Sequence, residues 1–162
     1  MSNFADRNIK ETLEIVGVFA VLIGLVFVGF ELRQNTASVQ AATSQGLLEQ
    51  SNQSNFLVAA DSDFADLVSR GNSSLDDLNE AELLRYQSYM FAELNIWEQA
   101  YYSHSDGTLN DRLWRGYDTG YRGFICGPSA TIMWRQIENF FGVEFRTYVN
   151  GDARKQCTES TK

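Results

Sequence analysis

Few side chains in this 162-residue chain have the type and spacing that catalysis requires. His104 is the single histidine, and Cys126 and Cys157 are the two cysteines. A metal site needs several His, Cys or carboxylate ligands at coordinating spacing, and a Cys–His dyad needs a third group that orients it. The sequence has neither pattern, and it lacks the Glu-x-x-His, phosphate-loop and nucleophile-elbow motifs. We therefore predict a protein without catalytic activity, bound metal or cofactor.

The two cysteines are compatible with two redox compartments. A disulfide between Cys126 and Cys157 would suit an oxidising compartment, and two free thiols would suit the cytosol equally well. Because Cys157 lies in a polar C-terminal segment, a specific bridge is the less favoured interpretation.

Aromatic side chains indicate a second kind of site, a binding pocket. Trp97, Tyr101, Tyr117 and Tyr121 recur at helical spacing on two predicted helices. A small-molecule pocket is largely apolar and carries a few convergent polar groups, which these side chains can supply. We expect the four residues to line such a pocket if the helices leave a cavity. They would instead fill the core if the bundle is solidly packed.

Net charge and composition exclude several classes of protein and partner. The chain has 13 Lys and Arg against 21 Asp and Glu, which gives a formal net charge of −8. Because nucleic-acid binding requires a basic surface that neutralises phosphates, we expect no nucleic-acid partner. Aromatic residues make up 13% and there is one proline, which excludes collagen-like and broadly disordered chains.

An uncharged apolar run near the N-terminus predicts a membrane anchor. Residues 15–30 carry no charge and are bounded by Glu14 and Glu31. Extending the run to residues 13–32 gives a helix about 30 Å long, which matches a hydrocarbon core. A buried soluble helix and a cleaved signal peptide are the alternatives, but the run is apolar on every face and follows acidic residues. We predict one transmembrane helix over 13–32, with the lipid bilayer as a partner.

Small residues on one face of this anchor predict association with another helix. Gly17, Ala20 and Gly24 fall on the same side, and Ala20 and Gly24 have small-xxx-small spacing. Such faces let helix backbones approach closely in lipid. We expect this face to bind a second copy of the chain or another membrane protein, although glycine is also simply common in membrane helices.

Basic residues on either side of the apolar run indicate its orientation. Arg7 and Lys10 precede the run, and only Arg33 follows it closely. The positive-inside rule therefore places the N-terminus in the cytoplasm and the rest of the chain outside it, on an excess of one charge.

Start signals for helices recur along the rest of the chain. Asn79 and Glu82 have the spacing of a capping box, and Thr108 and Asp111 repeat that spacing before the next predicted helix. Pro128 suits the first turn of a later helix. No second strand pattern accompanies the alternating stretch near the C-terminus, so we predict an all-α fold. We divide the chain into an N-terminal flank, a transmembrane helix, a juxtamembrane helix, a helical bundle and a flexible tail, over residues 1–12, 13–32, 33–60, 61–150 and 151–162.

A set of short motifs runs along most of residues 13–150. They are ELRQNT at 31–36, LNEAE at 78–82, Gly107-x-Leu109 leading to Trp114, Gly127-Pro128, Trp134, and the segment 140–149. In this order they resemble a family of uncharacterised bacterial single-pass membrane-anchored helical proteins, in which Arg-Gln-Asn-Thr follows the anchor. The resemblance implies an all-α fold and a location in the bacterial inner membrane, and it implies no catalytic or binding residue. Cys126 and the glycine-rich stretch 116–123 depart from that pattern.

Two functions fit these features. The first is a membrane-tethered interaction or assembly protein without catalytic activity, which the anchor, its small-residue face and the absence of a catalytic set support. The alternative is a membrane-anchored helical domain that senses or binds a small molecule in the aromatic pocket. A sizeable apolar cavity would favour the alternative.

Overall fold

A computed structural model of the chain describes the backbone of residues 2–159 and the side chains of residues 14, 16–155 and 157. The regular structure of this part is entirely helical and includes no strand, so the predicted all-α class is confirmed. The α-helices are α1 (Ser2–Ala60), α2 (Ser62–Ser73), α3 (Glu80–Ser105), α4 (Asp111–Ile125), α5 (Pro128–Ile137), α6 (Val143–Tyr148) and α7 (Arg154–Glu159). Short 3₁₀ turns at Leu75–Asp77 and Glu138–Phe140 and a π-helical segment at Val149–Ala153 lie between them.

The backbone divides into two compact units, which we call the anchor unit (Met1–Val39) and the helical domain (Gln40–Lys162). The predicted bundle starts later, at residue 61. The helical domain includes the end of α1 because Leu47 is completely buried there. It packs against Ile96, Ala100 and Leu109. Much of the predicted juxtamembrane helix therefore belongs to the folded domain.

The anchor unit contains the apolar stretch of α1, and its side chains are not buried within the described protein. Val18, Ile23 and Phe30 are 61%, 68% and 68% exposed. By length and composition, α1 is long and apolar enough to cross a membrane, and none of its most apolar stretch is buried. The side chains of Arg7 and Lys10, on which the predicted orientation depends, lie outside the described residues.

Side-chain caps determine where α3 and α4 begin. Asn79 accepts a hydrogen bond from the Glu82 N–H at 3.0 Å, and the Glu82 carboxylate accepts one from the Asn79 N–H at 2.9 Å. The predicted capping box is therefore confirmed. The start of α4 differs from the prediction, because its cap is Asn110, which accepts from the Leu113 N–H at 3.0 Å. The Thr108 hydroxyl is instead engaged at the end of α3.

Lowering the pH should destabilise the N-terminus of α3, because the Glu82 carboxylate becomes protonated. Hydrogen bonds from the Arg70 guanidinium, 2.6 Å away, and from the Asn79 N–H lower the pKa of Glu82 from 4.5 to about 2. A carboxyl group whose pKa falls on folding stabilises the folded state above its unfolded pKa and loses that contribution as pH falls through its folded pKa. We expect Glu82→Gln to lower the thermal midpoint at neutral pH, and its difference from wild type to shrink between about pH 5 and pH 2.

Melting curves recorded by circular dichroism over this pH range check the expectation. Glu80→Gln is the matched control, because Glu80 is exposed on the same helical turn and forms no side-chain hydrogen bond with the described residues. The control should keep the wild-type pH dependence. If the difference in thermal midpoint between Glu82→Gln and the wild type is the same at every pH, the lowered pKa of Glu82 is contradicted.

The core of the helical domain is aromatic and is centred on Trp97 of α3. Its ring stacks on Tyr121 of α4 at 5.6 Å between ring centroids and meets Phe145 of α6 edge-on at 5.2 Å. Trp97 and Phe145 are both completely buried. The Trp97 indole N–H donates to Asp118 at 3.3 Å, so the buried ring keeps a hydrogen-bond partner. Three helices therefore meet around one tryptophan.

The C-terminal segment is helical and attached to the domain. Cys126 and Cys157 form a disulfide, and Arg122 donates to the Asp152 carbonyl at 3.0 Å. The prediction of a flexible tail over 151–162 is therefore wrong for the described part of that range, and its last three residues lie outside the description. The polar sequence was misleading because a covalent bond and a hydrogen bond to the backbone hold the segment.

Candidate functional site

The four aromatic residues predicted to line a pocket have different environments. Trp97 is completely buried in its stack with Tyr121, so its ring is not accessible to a ligand. Tyr101 packs in the same aromatic core, 5.0 Å from Tyr148 between ring centroids. Tyr117 and Tyr121 line a small groove of about 290 Å³. The structure thus brings Trp97 and Tyr121 together as packing partners and does not place the four residues in one cavity.

The single histidine and the two cysteines also make structural contacts. His104 stacks on Trp114 at 5.1 Å between ring centroids, and its Nε2 lies 3.0 Å from Asp111. Because Cys126 and Cys157 are bonded to each other, neither supplies a thiol for a Cys–His dyad. The described residues contain no cluster of three or more potential metal ligands. These side chains hold neighbouring segments together and form no recognisable catalytic set.

A larger groove, which the sequence patterns did not indicate, lies between α1 and α3. Its walls come from three helices: Gln50, Gln53, Ser54 and Leu57 of α1, Phe64 of α2, and seven residues between Leu84 and Ile96 of α3. The groove has a volume of about 720 Å³. Small-molecule sites have volumes of about 300–1,000 Å³, so its size suits a ligand. We call it the apolar groove.

The apolar groove has a buried floor and exposed edges. Phe64 and Tyr89 meet edge-on at 5.7 Å between ring centroids, and Ile96 is only 5% exposed. Leu57 and Leu84, by contrast, are 62% and 65% exposed. Large apolar side chains left in water beside an apolar depression are typical of binding surfaces.

Arg85 is the one charged side chain among the described residues that line the groove. Its guanidinium lies 5.6 Å from the centre of the Phe64 ring, which is a cation–π contact. It forms no ion pair with a described residue, whereas Arg70 pairs with Glu82 at 2.6 Å. Arg85 therefore places a positive charge at one end of the groove, while Glu93, which accepts a hydrogen bond from the lining residue Ser54, lies eight residues further along α3.

The part of α1 that belongs to the helical domain is attached by one buried side chain and by hydrogen bonds. Leu47 is the buried residue of this helix among those described. Three long-range hydrogen bonds also attach it, from Ser51 to Tyr117, from Ser54 to Glu93, and from Gln40 to the Gly107 carbonyl. The small groove of about 290 Å³ is also bordered by α1, together with α3 and α4. α1 therefore borders two openings in this part of the domain.

Burial keeps two tyrosine side chains near α1, Tyr89 and Tyr121, neutral. The Tyr121 hydroxyl donates to Glu93 at 2.9 Å. Burial, and then the charge of Glu93, raises the pKa of Tyr121 well above its usual range. The same two causes raise the pKa of Tyr89 to about 12. These phenols can therefore donate hydrogen bonds to a ligand but are poorly matched to acid–base catalysis near neutral pH.

The predicted association face in the anchor unit is accessible. Gly17, Ala20 and Gly24 are all exposed. A Cβ added at Gly17 or Gly24 would meet no described atom within 4 Å. Self-association through this face stays a prediction.

Sequence analysis named none of the residues that line the apolar groove as site residues. Leu84 and Phe91 widen the stripe formed by Leu83 and Met90. In the structure Leu84 lines the groove and is 65% exposed, while Met90 is buried. Phe91 is 37% exposed but packs against Phe140 and Phe141 outside the groove. The available signal was an apolar stripe wider than a core-facing helix requires.

Together these observations define an all-helical chain with an apolar N-terminal helix and a grooved helical domain. No protein-family model matches the chain, and neither a curated protein nor a solved structure matches it. The resemblance to bacterial membrane-anchored helical proteins therefore stays a prediction.

Proposed function

We propose that this chain is a membrane-tethered protein without catalytic activity, and that its helical domain binds an apolar ligand between α1 and α3. The observation that carries the proposal is the apolar groove of about 720 Å³, with Leu57 and Leu84 exposed at its edges. The proposal joins the two predicted functions, since the anchor provides the tether and the groove provides the interaction. It locates binding in this groove instead of the predicted aromatic pocket.

The exposed surface of the anchor unit supports the membrane tether. Soluble monomers rarely expose a continuous apolar patch larger than a few hundred square ångströms. Residues 16–30 expose their apolar side chains around the helix. Transfer of such apolar surface from water is favourable by about 25 cal/mol per Å² of buried area. A bilayer can cover this surface over the length of one helix.

The disulfide supports placing the helical domain outside the cytoplasm. Disulfides persist in oxidising compartments and are rare in the reducing cytosol. Cys126 and Cys157 both belong to the helical domain. The basic residues Arg7 and Lys10 before the anchor, against Arg33 after it, favour the same orientation. In a bacterium, this is the outer side of the inner membrane.

Filling the groove with a larger side chain tests the binding proposal. Ala92 is exposed in the wall of the groove, so Ala92→Phe should occupy ligand space without disturbing the core. The full chain in lipid nanodiscs would be irradiated with a small phenyl-diazirine probe, and labelled peptides would be mapped by mass spectrometry. We expect labelling at 50–57 and 84–96 in the wild type, reduced several-fold by Ala92→Phe.

Ala81→Phe is the matched control, because Ala81 is exposed on the same helix and does not line the groove. Its labelling pattern should equal that of the wild type. The proposed function would be wrong if the groove peptides are labelled no more than the rest of the domain surface. It would also be wrong if they are labelled as strongly in Ala92→Phe as in the wild type. Labelling of the anchor serves as the internal reference in every sample.

A further inference from the structure

We infer that the apolar groove binds a single-chain lipid with a free carboxylate, a long-chain fatty acid, whose head group pairs with Arg85. The inference rests on the proposed function, because it names the ligand class of the same groove. Its basis is one cation without an ion-pair partner among the described residues, placed in the wall of an otherwise uncharged apolar depression.

Arg85 determines the chemistry of the head group. A guanidinium binds a carboxylate through two parallel, charge-assisted hydrogen bonds. Glu82, three residues earlier on α3, is already engaged by Arg70 at 2.6 Å. No Asp or Glu occurs among the described residues that line the groove. The charge of Glu93 acts on the lining residue Tyr89, but Glu93 is eight residues beyond Arg85, about 12 Å along α3, and accepts a hydrogen bond from Ser54.

The floor beyond Arg85 suits an alkyl chain. Tyr89, Ala92 and Ile96 follow at spacings of four, three and four residues and therefore share one face of α3. From Arg85 to Ile96 this face extends about 16 Å at the rise of an α-helix. Leu57 adds apolar surface from α1. A linear apolar chain running away from a cationic site fits this arrangement.

The dimensions of the groove favour a small ligand over a protein partner. The groove is lined by twelve described residues, whereas a stable protein–protein interface uses about 20–30 residues on each side. The volume of about 720 Å³ lies instead within the range of small-molecule sites. A tether to a bilayer would also keep the domain at a high effective concentration of lipids.

Two photoreactive lipids that differ only in the head group test the inference. One is a palmitic acid and the other is a hexadecanol, each with a diazirine in the chain, and both are presented to the full-length protein in phosphatidylcholine nanodiscs. We expect the acid to label peptides 50–57 and 84–96 at least about tenfold more than the alcohol, the factor that even one of the two charge-assisted hydrogen bonds supplies. Arg85→Gln should remove this preference, and Arg115→Gln, at an exposed arginine outside the groove, should retain it.

The outcomes separate the ligand class from the proposed function. Equal labelling by acid and alcohol, unchanged by Arg85→Gln but abolished by Ala92→Phe, overturns the carboxylate inference and keeps the groove as a binding site. If neither lipid nor the phenyl-diazirine probe labels the groove, both the carboxylate inference and the proposed function are overturned. A photoreactive side chain at Ser88 that crosslinks only to another polypeptide overturns the inference in favour of a protein partner.

Discussion

Replacing Phe145 with alanine should destabilise the helical domain by about 3–5 kcal/mol, as expected for a fully buried phenylalanine. Phe145 is completely buried, and its ring lies 5.2 Å from that of Trp97 and 6.0 Å from that of Trp134. Alanine would leave a cavity between the rings of Trp97 on α3 and Trp134 on α5, because large aromatic neighbours relax poorly into such a space. At about 4 °C per kcal/mol for a domain of this size, the thermal midpoint should fall by about 12–20 °C.

Phe56→Ala is the matched control for this prediction. Phe56 is 69% exposed on α1, so its truncation should change stability by no more than about 0.5 kcal/mol. Thermal unfolding followed by near-ultraviolet circular dichroism reports directly on the aromatic core in both variants. Similar small effects at the two positions would show that the packing around Trp97 does not carry the stability we assign to it.

Breaking the bridge between Cys126 and Cys157 should produce the second largest effect, about 3–4 kcal/mol. The two cysteines are 31 residues apart, and their bond closes a loop that contains α5, α6 and the π-helical segment. An open chain has more freedom in the unfolded state, so the folded state becomes relatively less stable. α7 has six residues, which is too short to persist as an isolated helix. Cys157→Ala should therefore also lose the helical signal of that segment.

Unfolding of the wild type with and without reductant, compared with Cys157→Ala, measures this effect. Reductant should lower the wild-type midpoint to that of the variant and leave the variant itself unchanged. A thiol-specific polyethylene-glycol label, added to denatured protein taken directly from cells, reports the redox state in the same experiment. Labelling before reduction would show free thiols and contradict an oxidising location for the domain.

Features with local causes were predictable from the sequence. Asn79 and Glu82 lie within one helical turn, so their types and spacing were enough to predict the capping box. The apolar stretch of α1 is likewise a property of consecutive residues. The start of α4 was displaced by two residues, because Thr108 is engaged by the preceding helix and Asn110 takes over the cap.

Features that depend on distant residues were not predictable. Leu47 belongs to the helical domain only because Ile96, Ala100 and Leu109 surround it, and no local pattern near Leu47 reveals them. The C-terminal segment is ordered through Cys126, which is distant in sequence from Cys157. The apolar groove is a gap between helices. Sequence periodicity indicates which face of α3 is apolar, but the distance to α1 decides whether that face is covered.

The attachment of α1 has a mechanical consequence. The hydrogen bonds of Ser51 and Ser54 contribute about 0.5–3 kcal/mol each and the burial of Leu47 about 1.5–3 kcal/mol, so only a few contacts attach this part of α1. Residues 40–60 should therefore separate from the other helices more readily than those helices separate from one another. A ligand bound between Leu57 and α3 would contact both helices and restrict their separation. Ligand binding should therefore reduce the motion of α1 against the domain more than it changes the position of α1.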